Sequence, residues 1–202
     1  MLIAEFESAR LMNRIYIEQI HIPGKEIIMQ KKYITLMVVV IMLVTATVAS
    51  ASSTNFAASL TGAQEVPPRA TGATGSASFQ LSEDGTALSY TVKVTNIENV
   101  FAAHIHCGAK GVNGPVGVTL FMGTPGSGPF SGTLASGTIT APDPGNGCGW
   151  ADLAAVVAAI NSGNTYVNVH TNDGVAPTNT GPGDFASGEI RGQITKVGGV
   201  KK

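Results

Sequence analysis

The chain has 202 residues, of which 44% are hydrophobic and 12% are charged, and its formal net charge is −1. A chain of this length can bury one or two cores, and without a basic block it gives no sign of a nucleic-acid partner. Glycine is abundant, at 25 residues, while charged side chains are sparse. This composition favours short strands joined by tight turns over helices.

A secretory signal peptide is predicted close to the N-terminus. Two lysines at positions 31 and 32 precede an apolar run from Tyr33 to Val48, and the small residues 49–51 follow it. The run is shorter than the roughly 20 residues that a membrane-spanning helix needs. Residues 29–51 are therefore predicted to be a cleaved signal peptide, which makes the protein secreted or extracytoplasmic. The alternative is an uncleaved anchor formed by residues 33–51, which would be the chain's one link to a membrane.

Residues 1–28 mix acidic and basic side chains ahead of this signal. We interpret them as an upstream extension that results from a start codon assigned too early, with translation from Met29. The remaining part, residues 52–202, is predicted to be one exported domain.

Alternation of apolar and polar residues predicts strands along this exported part, at 56–60, 76–81, 86–97, 100–107, 116–122, 131–140, 165–171 and 188–197. Residues 150–163 break the alternation, because Leu153, Val156, Val157 and Ile160 recur at helical spacing. Eight strands and one helix predict an all-β fold: an antiparallel β-sandwich of Greek-key type, or a flattened barrel, with one short helix.

Three of the four histidines fall in two of the predicted strands. His104 and His106 are two residues apart, so they project from one face of their strand with side-chain roots about 7 Å apart. If the strand that carries His170 lies next to theirs, a third imidazole joins the pair. Three neutral imidazoles suit copper or zinc, so a metal site is predicted at His104, His106 and His170. The alternative is an ordinary pair of surface histidines without a metal.

The face that carries these histidines is expected to be an outer or rim face, because Ala103 and Ile105 on the other side have the character of core residues. Asn168 lies on the same predicted face. Glu189 and Arg191, two apart in the last strand, are expected to pair with each other or with loop groups. All three polar residues are candidates to support metal-bound imidazoles by hydrogen bonding.

Cys107 and Cys148 are the two cysteines of the chain, and both lie in the exported part. Export favours a disulfide between them over two free thiols. Metal ligation by Cys107 is the less favoured alternative, because in a regular strand its side chain points away from the neighbouring histidines.

No catalytic residue is assigned from the sequence. A Ser/His/Asp or Cys/His arrangement with a supporting motif, a Gly-rich phosphate loop and an HExxH motif are all absent from the sequence.

Four sequence blocks, in order, resemble those of the CHRD domain, which is named after chordin. They are LTGAQEVPP (60–68), AAHIHCGAKGVNGPV (102–116), YVNVHT (166–171) and GEIRGQI (188–194). The resemblance covers about residues 56–197. In chordin the domain belongs to an extracellular protein that binds growth factors. The resemblance therefore implies an alternative function, a non-catalytic extracellular interaction or adhesion module with a protein partner and no metal.

The sequence is also similar, more distantly, to copper/zinc superoxide dismutase, an antiparallel sandwich with a strand-borne HxH and a Gly-rich final strand. On that likeness His104, His106 and His170 fall on copper positions. The bridging histidine and the histidine-rich zinc loop have no counterpart here, so the likeness implies copper alone as the cofactor. We therefore predict copper binding in copper handling or redox protection, with a dismutase-like enzyme as a further alternative.

Overall fold

Antiparallel strands account for most of the regular structure, which a computed structural model describes for residues 53–198. The predictions for residues 1–28 and 29–51 lie outside the described residues. In the described part, no helix has the length and the apolar character that crossing a membrane requires.

The elements follow one another as β1 (Thr54–Thr61), β2 (Thr74–Leu81), β3 (Leu88–Glu98), β4 (Val100–Cys107), β5 (Val116–Met122), β6 (Pro129–Ile139), α1 (Leu153–Asn161), β7 (Thr165–Thr171), β8 (Ile190–Gln193) and β9 (Thr195–Lys196). Three predicted strands, 100–107, 116–122 and 165–171, have the observed bounds. The predicted strand 188–197 is wrong in its extent, because it breaks at Ile194 into β8 and β9. The break occurs where the backbone N–H of Ile194 donates to Thr165 and the chain then turns to pair with β1.

The strands confirm the predicted all-β fold and form one antiparallel sheet. Eight of them follow the order β5-β4-β7-β8-β1-β2-β3-β6, and β9 pairs with β1. The two end strands, β5 and β6, approach each other, so the sheet is nearly closed into a flattened barrel. Near-closure leaves little unpaired sheet edge and gives the molecule a distinct inside and outside.

The core fills the inside of this sheet with alternate residues of the strands. In β4, Ala103 and Ile105 belong to the core, as predicted. Because neighbouring residues of a strand project to opposite faces, His104 and His106 stand on the outside. The core therefore fixes which face of β4 carries the histidines.

The helix α1 is the one α-helix of the described residues, and it packs its apolar side onto the core. Leu153, Val156 and Ile160, which recur at helical spacing, are buried. Asp152 caps the first turn by accepting a hydrogen bond of 2.9 Å from the backbone N–H of Ala155.

A disulfide between Cys107 and Cys148 confirms the predicted pairing and joins two parts of the chain that are 41 residues apart. It links the end of β4 to residues 140–152, the segment that precedes α1 and that we call the disulfide loop. This loop lies against β5: Asp143 N donates to Gly117 O at 3.0 Å, and Gly147 N donates to Val116 O at 3.1 Å. The disulfide loop is thus fastened to both strands at this end of the sheet.

Removal of the disulfide should destabilise the protein. In the chain-entropy model, a crosslink that closes 41 residues lowers the entropy of the unfolded chain enough to contribute about 4 kcal/mol. We therefore expect Cys107→Ser/Cys148→Ser to lower the free energy of unfolding by about this amount in urea denaturation. Wild-type protein in reducing buffer is the matched control and should behave like the double variant. A loss below about 1 kcal/mol would show that the crosslink has little effect on the unfolded chain.

Candidate metal centre

The pairing of β4 with β7 brings the three predicted histidines together. In this register Ala102 lies opposite His170, and His104 lies opposite Asn168. The ring centroids of the three histidines are 5.0–5.7 Å apart. One ring nitrogen of each lies within 4.8 Å of those of the other two. The three side chains thus face a common point.

Two backbone carbonyls determine which ring nitrogens can bind a metal. His106 Nδ1 lies 2.9 Å from Gly114 O, and His170 Nδ1 lies 3.1 Å from Ala186 O. A carbonyl oxygen can only accept, so each Nδ1 carries the proton and each Nε2 keeps a free lone pair.

Three buried ring nitrogens have no hydrogen-bond partner: Nε2 of His106, Nε2 of His170 and Nδ1 of His104. Buried polar atoms without a partner are rare and call for an explanation. Three of them in one cluster form the nitrogen donor set that copper and zinc sites use, and carbonyl-bound Nδ1 atoms are a usual support of such sites.

The histidine face of the sheet is largely covered. It lies opposite the core, but loops cover it, and the side chains of His106 and His170 are each only 7% exposed. His104 is half-buried. The histidines therefore lie on the face opposite the core, as expected, and the alternation of residues within strands does not reveal the loops that cover them.

Burial keeps the three imidazoles neutral. Loss of hydration lowers the pKa of His106 to about 4 and that of His170 to about 3. Burial also lowers the pKa of His104, against the opposing charge of Asp143. All three imidazoles are therefore neutral at neutral pH, and a neutral imidazole has one ring nitrogen with a lone pair that can bind a metal ion.

Arg191 binds the loop after β4, which contacts His106 through the carbonyl of Gly114. Its guanidinium carbon lies 3.4 Å from the centroid of the Tyr166 ring, which in turn stacks on His106 at 4.9 Å. Arg191 also donates hydrogen bonds to Val112 O at 2.9 Å and to Asn113 Oδ1 at 3.0 Å. These contacts fix the loop that supplies Gly114 O to the histidine.

Glu189 holds a different loop and does not pair with Arg191. Its buried carboxylate accepts hydrogen bonds from the hydroxyls of Thr71 and Thr171 and from Gly183 N at 2.9 Å. The sequence left open whether Glu189 and Arg191 pair with each other or with loop groups, and in the structure both bind loop groups. Glu189 thereby orders the segment before β8, which includes the Ala186 carbonyl beside His170.

A buried carboxyl group that the sequence analysis missed, Glu65, lies near Asn168. Glu65 is 4% exposed, and its Oε1 and the Oδ1 of Asn168 both lack a hydrogen-bond partner. Burial raises the pKa of Glu65 to about 7, although the positive charges of Arg191 and Arg69 act in the opposite direction. The one sequence signal was its place in LTGAQEVPP, the first CHRD-like block.

Asp143 is a second polar residue that the sequence analysis missed. Its Oδ2 accepts hydrogen bonds from Thr119 N at 2.9 Å and from Thr119 Oγ1 at 2.7 Å. Thr119 lies opposite His104 in the β4–β5 pairing. A carboxylate from the disulfide loop thus lies close to one of the three histidines, although no motif in the sequence links it to them.

Fold and site together define an all-β domain with a disulfide and a covered cluster of three neutral imidazoles. The family model of the CHRD domain matches residues 56–194, and the chain belongs to this family. The domain and the disulfide are both compatible with an extracellular location. Comparison with curated proteins and with solved structures gives no significant match. The similarity to copper/zinc superoxide dismutase therefore stays a prediction from the sequence.

Glu65 should make the stability of the protein depend on pH. Its pKa is about 7 in the folded protein against 4.5 for the free group, so between these values the folded state binds more protons than the unfolded state. Stability from this group is therefore present below pH 4.5 and is lost as the pH rises to 7, at a cost of about 3 kcal/mol.

Glu65→Gln keeps a hydrogen-bonding group and removes the titration. We expect its free energy of unfolding to exceed that of wild type by about 2–3 kcal/mol at pH 8 and to equal it at pH 4. Glu83→Gln, at an exposed turn position, is the matched control and should show no such difference. Urea denaturation across this pH range measures both, and an equal effect of Glu65→Gln at both pH values would contradict the expectation.

Proposed function

We propose that this CHRD-domain protein binds one copper ion through His104, His106 and His170 and acts in copper handling or redox protection outside the cytoplasm. The observation that carries the proposal is the cluster of three buried ring nitrogens that face one another without hydrogen-bond partners.

A bound ion would give all three unpartnered nitrogens a partner. Each buried polar group without a partner costs about 1–3 kcal/mol. The Nε2 atoms of His106 and His170 are both acceptors and cannot satisfy each other. Nitrogens that bind copper or zinc at about 2.0–2.1 Å lie about 3.3–3.6 Å apart. The observed separations, within 4.8 Å, leave a small inward rotation of the rings to complete a site.

The donor set favours copper over zinc. Cys107 is held in the disulfide and offers no thiolate, and no carboxylate among the described residues belongs to the cluster. Three imidazoles without an anionic ligand suit reduced copper, which tolerates three ligands, and divalent copper binds nitrogen sites more tightly than zinc does. Bound copper would supply one-electron chemistry, while the protein's own residues fix the tautomers and cover the rings.

Copper binding should depend on each of the three histidines. Wild-type protein is expected to bind one equivalent, and His104→Ala, His106→Ala and His170→Ala are each expected to weaken binding by more than about 100-fold. The loss of a ligand should exceed the 10–100-fold effect of losing a supporting residue. Isothermal titration of metal-free protein, together with metal analysis, measures stoichiometry and affinity.

Lys93→Ala, an exposed change on β3, serves as the control and should bind copper like wild type. Circular dichroism of each variant separates lost binding from lost folding. Tight binding that survives in His170→Ala would contradict the proposed site. Absence of copper binding in wild type would instead favour an interaction module that recognises a protein partner.

A further inference from the structure

The histidine cluster is most accessible to solvent beside His104. His106 and His170 are buried, whereas His104 is half-buried. A cation that reaches the cluster from solvent therefore meets the surroundings of His104 first, and the charges there decide which ions are attracted.

Asp143 is placed at this position by β5. Its Oδ2 accepts both hydrogen bonds that Thr119 donates, at 2.9 and 2.7 Å. Thr119 and His104 are directly opposite each other in the antiparallel pair, so their side chains project to the same face. Asp143 is half-buried, and the hydrogen bonds that its carboxylate accepts within the described residues both come from Thr119 and both go to Oδ2. One carboxylate oxygen is thus held beside His104, and the other is free to meet a cation.

The disulfide loop keeps Asp143 in place. Asn146 donates to Asp143 O through its backbone N–H at 3.1 Å and through its side-chain Nδ2 at 3.0 Å. Asp143 N donates to Gly117 O at 3.0 Å. Cys148, in the same loop, is joined to Cys107 next to His106. The carboxylate is therefore fixed relative to the histidines and does not depend on the rotamer of a free surface side chain.

The positive charge of Arg191, which also acts on the cluster, is buried. Arg191 is 2% exposed, and its guanidinium packs on Tyr166 and is bound by loop carbonyls. The charge that an incoming ion meets beside His104 is therefore negative, which attracts cations and repels anions such as superoxide.

We propose that Asp143 is the entrance carboxylate of the histidine site, which attracts the copper cation and passes it to the ring of His104. This inference rests on the proposed metal site and adds the route by which the ion is loaded. It also favours a copper-handling role over superoxide turnover, because the same charge that speeds loading slows the approach of an anionic substrate.

Loading kinetics test this role. Trp150 is the only tryptophan of the chain, and its ring packs against Gly117 on β5, so copper binding nearby should quench its fluorescence. We expect Asp143→Asn to lower the association rate constant for Cu²⁺ in stopped-flow mixing by about tenfold at low ionic strength. Asparagine can still accept the bonds from Thr119, and the stoichiometry should stay at one ion. High salt should remove the difference, because it screens the charge.

Glu83→Gln makes the same change in net charge at an exposed turn and is the matched control. Equal rate constants in both variants would overturn the role of Asp143, and so would a lower rate in Asp143→Asn that salt does not affect. The wild-type protein provides a second test, since a copper association rate that does not depend on salt would also overturn the role of Asp143. Failure of wild type to bind copper would remove the proposed function as well, whereas binding with an unchanged rate in Asp143→Asn would remove this inference alone.

Discussion

The antiparallel pairing of β4 with β7 is the constraint on which the candidate site depends. The two strands carry His104, His106 and His170, and the sheet register that places Ala102 opposite His170 makes the three rings converge. Because side chains alternate along a strand, a shift of β4 or β7 by one residue in the register would point the histidine rings of that strand into the core. Ala103 and Ile105, packed inside the barrel, prevent that shift. The core therefore secures the register, and the register assembles the cluster.

Loops orient and cover the histidines that the sheet brings together. The carbonyls of Gly114 and Ala186 set the tautomers of His106 and His170, and covering loops remove water from their rings. Arg191 and Glu189 hold the two loops that supply those carbonyls. A buried charge in each case is satisfied by several hydrogen bonds, as burial of charge requires. Rigid loops are what a preformed set of ligands needs.

The parts of this protein that depend on local sequence pattern could be predicted from the sequence. Strand alternation predicted β4, β5 and β7 with their observed bounds, and the cysteine count in an exported chain predicted the disulfide. The places of Glu65 and Asp143 near the histidines could not be predicted, because they depend on partners that are distant in the sequence. Asp143, for example, accepts a hydrogen bond from Thr119, which is 24 residues earlier in the chain. The loops that cover the histidine face were not predicted either, because their position depends on tertiary structure.

Anomalous diffraction at the copper edge from crystals of the copper-loaded protein tests the central claim most directly. A single copper peak is expected among the three imidazoles, bonded to Nε2 of His106, Nε2 of His170 and Nδ1 of His104. These are the nitrogens that lack a hydrogen-bond partner in the structure. A copper peak elsewhere on the molecule, or bonds to the Nδ1 atoms that now donate to Gly114 and Ala186, would contradict it.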